Sequence, residues 1–497
     1  MRMPWLDPEN SASPLNREND TSLARWLGVL ALLAFHAALL VAFRGRFDHD
    51  RELAEYPALW LAAGLVSAGI VFLFLVRMIA SSERLDAVRT RTLLIAVIAG
   101  GLVLRAMLLW STPALEDDFY RYLWDGGVTA NGYSPYAIAP AVADAKGVAP
   151  AIKELADDAA DIRDRINHPK LRTIYPPVAQ AAFALAYLAE PWSLFAWRFV
   201  CLLGEMVSLW LILELLRDTG RSPLWVAVYW WNPLVVKELI NSAHMEAILV
   251  PLVLAALLLA IRQRHVAAAA MLGVASGTKV WPVILAPLIL RPLLTQPWRL
   301  MLAGGVLGLL LVVFAWPPLQ AGLDATSGIV AYATRWQTNS ALFPALAKLI
   351  GAISGLFSTN PDLGALLARL LISALIAVVA IGLALRPIGD ALDLLGRATL
   401  VVAAMVLLSP AQFPWYLIWV QPLLAVRPIN GLLAATMLMP IYYASFHFHA
   451  SDSYWIFRDF IVWAIWIPIW LLLAMQARME FRGEQAIAVR PSGAADE

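Results

Sequence analysis

Cysteine and charged residues are both scarce in this chain. The one cysteine, Cys201, lies in an apolar run, which excludes an intramolecular disulfide and any cysteine-based metal site. Charged residues make up only 15% of the 497 residues, whereas 61% are hydrophobic. A soluble protein needs a larger share of polar residues than this to cover its surface. Basic clusters are also lacking outside short loops, which argues against a nucleic-acid partner.

Apolar blocks without charge are abundant instead, and most have the roughly 17–25 residues that cross a hydrocarbon core of about 30 Å. The first 20 residues carry no signal-peptide pattern, so the first block is expected to stay as a membrane anchor. We therefore expect one all-α domain over 1–497, a polytopic helical membrane protein with about 12–14 transmembrane helices. The predicted spans are 24–43, 57–80, 92–110, 193–216, 223–239, 243–261, 266–278, 280–290, 299–316, 364–385, 395–409, 413–426, 429–446 and 457–476.

Arginine-rich connections orient these spans, because such connections stay in the cytoplasm. All of them share one side if the amino terminus is cytoplasmic and segment 174–190 is a juxtamembrane helix at the outer interface instead of a span. Residues 111–192 then form the first extracytoplasmic loop, with its juxtamembrane helices, and 477–497 form a cytoplasmic tail. The connections are 81–91 (Arg84, Arg89, Arg91), 217–221, 262–265, 291–299, 386–397 and the tail from Arg478.

Three acidic residues at 116–118 open this outer loop, and aromatic residues interleave with them. The Gly-Gly and Asn-Gly-Tyr-Ser-Pro-Tyr stretches that follow indicate compact, ordered turns. A carboxylate held among aromatic side chains at an interface is a candidate general base or metal ligand, although an interfacial helix with merely solvated acids is the alternative. In a helix, Asp117 and Arg121 would form an i,i+4 pair. One helical face would carry Asp118, Tyr122 and Asp125.

Polar residues within apolar sequence form a second set of candidates, because ionisable groups at such depth cost free energy unless they are paired or lie in a polar cavity. Lys279 lies at the bend between segments 266–278 and 280–290, which are each too short to span a bilayer comfortably. No acid is close to Lys279 in sequence, so a phosphate is expected to supply its counter-charge. A helix-end cap is the alternative. Arg198, near the outer end of its span, could bind the same anion. The other polar residues are Asn232, Lys237, Glu238, Asn241, His244 and Glu246.

Further candidates lie in the outer loops. His168 and Tyr175 stand between prolines and close to basic residues, a pattern that fits phosphate contact and interfacial anchoring equally well. Arg335 is a candidate for sugar contact. The pair His447 and His449 is more consistent with side chains that bind no metal, because no cysteine or firm carboxylate partner is near them in sequence.

Six motifs occur in a fixed order over residues 117–416, and together they resemble the GT-C superfamily of integral-membrane glycosyltransferases. The closer likeness is to bacterial mannosyltransferases that depend on polyprenyl-phosphate mannose, and to their relatives, which include the mannosyltransferase of GPI-anchor assembly. The motifs are DDFYRYLWDG at 117–126, GYSPY at 132–136, INHPKLRTIYPP at 166–177, NSAHMEA at 241–247, GTKVWP at 277–282 and SPAQFPWY at 409–416.

The resemblance implies a multi-pass enzyme of the cell inner membrane with its active site on the extracytoplasmic side. It would move a hexose, with mannose expected, from a polyprenyl-phosphate donor to an envelope lipid or glycan acceptor, with inversion. The family's outer-loop carboxylate pair maps onto Asp117 and Asp118, one of which would act as the base. Phe119 breaks the strict Asp-x-Asp pattern, so a requirement for a divalent cation, Mg²⁺ or Mn²⁺, stays open.

Cations would face the leaving phosphate in such a reaction, because its negative charge grows as the bond to the sugar breaks. The candidates for this task are Lys279, Arg198 and His244. The candidates for contact with the sugar or the acceptor are Arg121, Tyr122, Asp125, His168, Tyr175, Asn241, Glu246 and Arg335.

A transporter or flippase of lipid-linked sugars is the main alternative, since it would also bury Lys, Glu and His at mid-membrane. Such proteins more often show paired repeats with matching broken helices, and no internal repeat is evident here. A non-catalytic scaffold would not explain the acidic loop. Release of polyprenyl phosphate from a lipid-linked sugar would distinguish a transferase from both.

Overall fold

The computed structural model is all-α, as predicted. Its only β pairing within the described part of the chain is one bridge between Thr338 and Ala411. The amino-terminal residues, Arg84 and the end of the 477–497 tail lie outside the described residues, and so do the parts of the predicted topology that rest on them. The structure describes residues 23–47, 51–83, 85–143, 145, 147–360 and 362–488.

Twenty-three α-helices, some of a single turn, are assigned in the described part of the chain. The first eight are α1 Leu23–Ala42, α2 Ala58–Ser81, α3 Ala87–Leu108, α4 Asp118–Ala130, α5 Pro150–Asp158, α6 Ala160–Arg163, α7 Pro177–Ala189 and α8 Leu194–Asp218. The next eight are α9 Ala227–Trp230, α10 Pro233–Val236, α11 Glu246–Ile261, α12 His265–Ser276, α13 Ala286–Leu290, α14 Pro297–Gln320, α15 Gly328–Arg335 and α16 Leu342–Ser354. The last seven are α17 Leu363–Leu385, α18 Ala391–Leu408, α19 Gln421–Leu424, α20 Asn430–Leu438, α21 Ala444–Ala450, α22 Tyr454–Ile456 and α23 Val462–Ala488.

Eight helices among the described residues are long enough and apolar enough to cross a membrane, and each corresponds to a predicted span. They are α1, α2, α3, α8, α14, α17, α18 and the continuous run Tyr454–Phe481. Some face outward almost completely: α14 buries only Ala303 and Leu307. Exposed apolar helices of this length suit lipid chains, so the chain is a multi-pass membrane protein.

The other six predicted spans are short or broken. The stretch predicted at 413–426, for example, consists of a 3-10 segment, Pro414–Trp419, followed by the single turn of α19. Proline removes a backbone donor, so breaks of this kind survive at membrane depth only inside protein. Residues 414–426 are indeed all buried. The two short arms predicted around Lys279 are found as α12 and the segment Trp281–Leu293.

Segment 174–190, predicted as a juxtamembrane helix, is α7. Its 13 residues are too few to span a bilayer, and it packs along α4. A Cβ on Gly126 would lie 2.5 Å from the backbone oxygen of Phe183, so only glycine allows the two helices to approach so closely. The Tyr122 and Phe183 rings stack with centroids 4.7 Å apart. This packing fixes α4, whose first turn carries the predicted acids.

A buried ion pair joins α3 to α8, and sequence analysis did not single it out. Arg105 Nε donates to Glu205 Oε2 at 2.6 Å, and both side chains are fully buried. The Tyr229 hydroxyl donates to the other oxygen of Glu205 at 2.8 Å, and the Arg105 guanidinium lies 3.4 Å from the centre of the Trp230 ring. These contacts compensate both charges and hold the helices on either side of the acidic loop.

Candidate active site

A cavity of about 1450 Å³ lies against the acidic loop. Carboxylate, amide and ammonium groups form part of its lining, whereas the lining residues of α17 are apolar except for Ser373. Many of the predicted site residues line it, together with aromatic residues of the SPAQFPWY motif. The predicted residues on its wall are Asp117, Asp118, Arg121, Tyr122, His168, Tyr175, Arg198, Glu246 and Lys279.

The two predicted catalytic acids lie side by side at the start of α4. Asp117 is the N-cap residue and Asp118 the first helical residue. The Asn167 amide donates to Asp117 Oδ1 at 2.7 Å and lies 3.3 Å from Asp118 Oδ1, so one side chain positions both carboxylates. Leu115, before the acids, and His168, after Asn167, have φ values of 57° and 50°. Left-handed backbone is unfavourable for such residues and concentrates at functional sites.

Burial, and to a smaller extent the negative charge of Asp118, raise the pKa of Asp117 to about 6 against the opposing effect of the hydrogen bond from Asn167. A carboxylate with this pKa is largely ionised at neutral pH and is still basic enough to accept a proton. Burial also raises the pKa of Glu116 well above its ordinary value. The geometry and the pKa therefore favour Asp117 as the base.

The predicted pair between Asp117 and Arg121 is wrong. Asp117 precedes the first helical turn and turns toward the outer loop, so its carboxylate does not face the position one turn later. Arg121 instead lies 3.8 Å from Asp125 and donates to the carbonyl of Leu171. Asp125 is buried, accepts a hydrogen bond from Gln180 at 3.2 Å, and does not line the cavity. These contacts give Asp125 a positioning task within the α4–α7 layer.

A buried hydrogen-bonded cluster lies behind the acids, between the outer loop and the Lys237–Asn241 π segment. The Tyr443 hydroxyl lies 2.8 Å from Glu116 Oε1 and 2.6 Å from Glu238 Oε1, and it accepts a hydrogen bond from Lys237. Lys237 Nζ is also 3.3 Å from Glu238 Oε2. The cluster therefore holds two carboxylates and one ammonium around a single phenol.

His244 completes this cluster and does not reach the cavity wall. Its Nε2 lies 3.4 Å from Glu238 Oε2 and 3.7 Å from Glu116 Oε2, and its Nδ1 lies 3.9 Å from Asp118 Oδ2. The ring is fully buried and stacks on Trp415 with centroids 4.2 Å apart. His244 was predicted as a phosphate ligand, but the structure places it behind the acids, where it faces carboxylates.

The expectation that Lys279 lacks a protein partner is wrong. Its Nζ lies 2.6 Å from Glu246 Oε1, because the α11–α12 hairpin brings together residues 33 positions apart. The ammonium also lies 4.6 Å and 4.8 Å from the ring centres of Tyr416 and Trp419. The Lys279 side chain stays 22% exposed to the cavity. A cation in an aromatic cage, held by one carboxylate, can still accept a second anion.

Arg198 and Asn241 shape the segment that leads to the acids. The Arg198 guanidinium donates to the carbonyls of Leu109 and Ser111 at 2.9 and 2.7 Å and also to that of Asn241. The Asn241 amide donates to Ser111 Oγ at 2.8 Å and accepts from the Ala114 amide at 3.0 Å. Arg198 therefore uses both donors of Nη1 and one of Nη2 on backbone carbonyls, whereas its Nε has no hydrogen-bond partner, and its contact with phosphate stays a prediction.

The remaining predicted contacts divide between the cavity and the surface. Tyr122 and Tyr175 meet edge to face at 5.1 Å, and His168 meets Trp336 edge to face at 4.7 Å, all on the cavity wall. Arg335 ends α15, is exposed, and does not line the cavity.

Several residues of the site were not predicted. Trp415, Tyr416 and Trp419 lie in or beside a motif that was recognised, so their aromatic character was the available signal. Tyr443 gave no signal, because a tyrosine in an apolar run resembles any core aromatic.

Comparison with known proteins identifies one family whose model the chain matches. The family model described as "Alpha-(1->6)-mannopyranosyltransferase, N-terminal domain" matches residues 25–295, more than half of the chain. A protein named alpha-(1->6)-mannopyranosyltransferase A from Corynebacterium glutamicum is 26% identical over 187 residues, which are 37% of this chain and only 36% of that relative. One of the same name from Mycobacterium tuberculosis is 27% identical over 412 residues, 77% of this chain and 73% of the relative. No solved structure matches the chain.

Proposed function

The chain belongs to the alpha-(1->6)-mannopyranosyltransferase family, and we propose that it transfers mannose from a polyprenyl-phosphate donor to an envelope glycan or lipid acceptor at the extracytoplasmic face. The observation that carries the proposal is the set of residues that lines the cavity at the acidic loop. Asp117 and Asp118 line this cavity, and Lys279, in its aromatic cage, lines the same cavity. A transferase with a phosphate leaving group needs a base and a cation in this way.

The lipid nature of the donor is supported by an apolar part of the cavity lining. Side chains of α17 and of the segment after Lys279 provide this apolar surface in the same cavity as the carboxylates. A polyprenyl chain gains free energy from such a surface in proportion to the apolar area that it buries. The residues of this surface are Val283, Ile284, Pro287, Ile376, Ala377, Ala380 and Ile381.

The proposed reaction is one direct displacement. Asp117 accepts the proton of an acceptor hydroxyl as the hydroxyl oxygen forms its bond to the anomeric carbon of mannose. The bond from that carbon to the phosphate oxygen breaks on the opposite side, and its electron pair leaves with polyprenyl phosphate. Lys279 stabilises the charge that develops there. Attack and departure on opposite sides invert the configuration at the anomeric carbon.

The activity should depend on pH through Asp117. Because its pKa is raised to about 6, the basic form is complete above about pH 7, and the rate should fall about tenfold per unit below pH 6. The charge of Asp118 is one cause of the raised pKa, so Asp118→Asn should move this acid limb to lower pH. The control Asp157→Asn, an exposed acid of α5, should leave it unchanged. A wild-type rate that is constant down to pH 5 would contradict the assignment.

The proposed face can be tested by labelling single cysteines after Cys201, which is buried, has been replaced. Cysteine at Ala145 or Ser453 should react with an impermeant maleimide applied outside intact cells. Cysteine at Ser81 should react only after the membrane is opened. The reverse pattern would place the acidic loop in the cytoplasm, where a nucleotide-sugar donor is available.

The donor class is tested with the purified chain in detergent and an oligomannoside acceptor. Radiolabelled mannose should pass to the acceptor from polyprenyl-phosphate mannose and not from GDP-mannose. Transfer from GDP-mannose alone would overturn the proposed donor, and label in the acceptor from neither donor would overturn the proposed activity.

A further inference from the structure

Two carboxylates and one imidazole converge inside the buried cluster behind the catalytic acids. Ligand atoms of Glu116, Glu238 and His244 all lie within 4.8 Å of one another. Glu238 and His244 are fully buried, and the Glu116 side chain is only 6% exposed. We propose that these three residues bind one divalent transition-metal cation, which supports the acidic loop from behind and does not touch the substrate.

The separations of the ligand atoms suit a cation. Around a metal with bonds of about 2.1 Å, neighbouring ligand atoms stand roughly 3.0–3.4 Å apart, the lower value for octahedral and the upper for tetrahedral angles. His244 Nε2 lies 3.4 Å from Glu238 Oε2 and 3.7 Å from Glu116 Oε2. The first distance already fits, and the second requires a shift of a few tenths of an ångström.

An unpartnered buried side chain is the second, independent observation. Neither ring nitrogen of His244 makes a hydrogen bond of ordinary geometry, although the ring is fully buried and its Nε2 lies 3.4 Å from Glu238 Oε2. Buried polar groups normally have partners, because leaving one unsatisfied costs free energy. Its Nε2 faces the space between two carboxylate oxygens. A cation bound there would satisfy the nitrogen and both oxygens at once.

The surrounding groups hold the ligands in place for this task. Tyr443 contacts Oε1 of both Glu116 and Glu238, which leaves Oε2 of each to face the imidazole. Hydrogen bonds of this kind orient metal ligands and raise affinity. Lys237 Nζ lies 3.3 Å from Glu238 Oε2, and its positive charge partly opposes the binding of a cation to that oxygen.

Charge balance still favours a divalent ion despite that ammonium. Once Glu116 has lost its proton, as a metal ligand must, Glu116, Glu238 and Asp118 surround a neutral His244 as three carboxylates, and Lys237 offsets one of them. The remaining charge of −2 equals the charge that one divalent cation neutralises. The nitrogen ligand and the lack of thiolate favour Mn²⁺, Fe²⁺ or Zn²⁺ over Mg²⁺, which prefers an all-oxygen shell.

The position of the cation gives it a defined effect on the active site. Metal on Nε2 leaves the proton of the imidazole on Nδ1, which lies 3.9 Å from Asp118 Oδ2. The imidazole would then present its Nδ1 donor toward that carboxylate, which stands beside Asp117. In this arrangement His244 is a positioning residue, and its ring joins the metal to the acid pair.

The test is the binding of Mn²⁺ alone to the purified full-length chain in detergent after chelator treatment. Electron paramagnetic resonance should count one bound Mn²⁺ per chain and detect nitrogen hyperfine coupling from one imidazole. His244→Gln and Glu238→Gln should each weaken binding by at least about tenfold, and Tyr443→Phe by about 10–100-fold, the usual effect of losing a residue that orients the ligands. The nitrogen coupling is read on wild-type protein, so it remains decisive if a variant fails to fold.

The matched control is His447→Gln, which removes an exposed histidine from the pair His447 and His449. It should leave the affinity for Mn²⁺ unchanged within about twofold, since the proposed ligands are untouched. Binding that survives in His244→Gln but is lost in His447→Gln would assign the metal to the surface pair and overturn the proposal. Stoichiometric binding without nitrogen coupling, or no stoichiometric binding at all, would also overturn it; in the latter case His244 is simply an imidazolium among carboxylates. None of these outcomes depends on the transfer activity.

Discussion

Asp117→Asn is expected to lower the rate of mannosyl transfer by about 10²-fold or more, the usual scale for the loss of a general base. The substitution nearly keeps the volume of the side chain and removes its ability to accept a proton. Asp118→Asn should lower the rate less, because in the proposed mechanism Asp118 raises the pKa of Asp117 and does not accept the proton itself. The measurement is the initial rate of transfer from polyprenyl-phosphate mannose at pH 7.5.

The control for this series is Asp157→Asn, which makes the same change in charge on the exposed face of α5. It should keep the wild-type rate. If Asp117→Asn is as active as wild type while Asp118→Asn is inactive, the base is Asp118. Wild-type rates in both variants would refute the assignment of the acid pair.

Lys279→Met should lower both donor affinity and turnover, because a methionine could not stabilise the phosphate of the proposed donor. Truncating one partner of a buried charge pair costs about 2–5 kcal/mol, so donor binding should weaken about 30-fold or more. Lys279→Arg should keep part of the affinity, since the charge remains while the geometry of its donors changes. Donor binding is measured with polyprenyl-phosphate mannose in detergent.

The ion pair with Glu246 complicates the single variant. Lys279→Met leaves a buried carboxylate without its cation at 2.6 Å, and such a loss destabilises a protein. The double variant Lys279→Met/Glu246→Gln removes both charges and should restore the unfolding temperature without restoring donor affinity. Lys348→Met, which removes an exposed charge on α16, is the control for nonspecific loss of positive charge. Donor affinity equal to wild type in the double variant would exclude Lys279 from phosphate binding.

The continuous membrane helices could be predicted from the sequence. Blocks of full length and without charge gave eight spans that the structure confirms, and the demotion of segment 174–190 on charge grounds agrees with the 13-residue α7. The interruptions inside segments such as 413–426 were not predicted, because hydrophobicity does not distinguish a helix that faces lipid from a buried, interrupted one. Residues 414–426 are such a case: they are fully buried, and proline begins the segment.

Features of the site that lie within one sequence motif could be predicted. Contacts between segments that are distant in sequence could not. The order of the six motifs predicted the GT-C type of mannosyltransferase, and the family match confirms it. The pair between Lys279 and Glu246 depends on how the α11–α12 hairpin closes, and a contact between Tyr443 and Glu116 joins residues 327 positions apart. Such contacts follow from packing, which one sequence does not specify residue by residue.

The most direct test of the central claim is the stoichiometry and stereochemistry of one reaction. The purified chain is incubated with polyprenyl-phosphate mannose and an oligomannoside, and both products are measured together by mass spectrometry and nuclear magnetic resonance. The account predicts one polyprenyl phosphate released for each mannosyl bond formed, with the configuration at the anomeric carbon inverted relative to the donor. Retention of configuration, or movement of intact lipid-linked mannose across a vesicle membrane without release of polyprenyl phosphate, would contradict it.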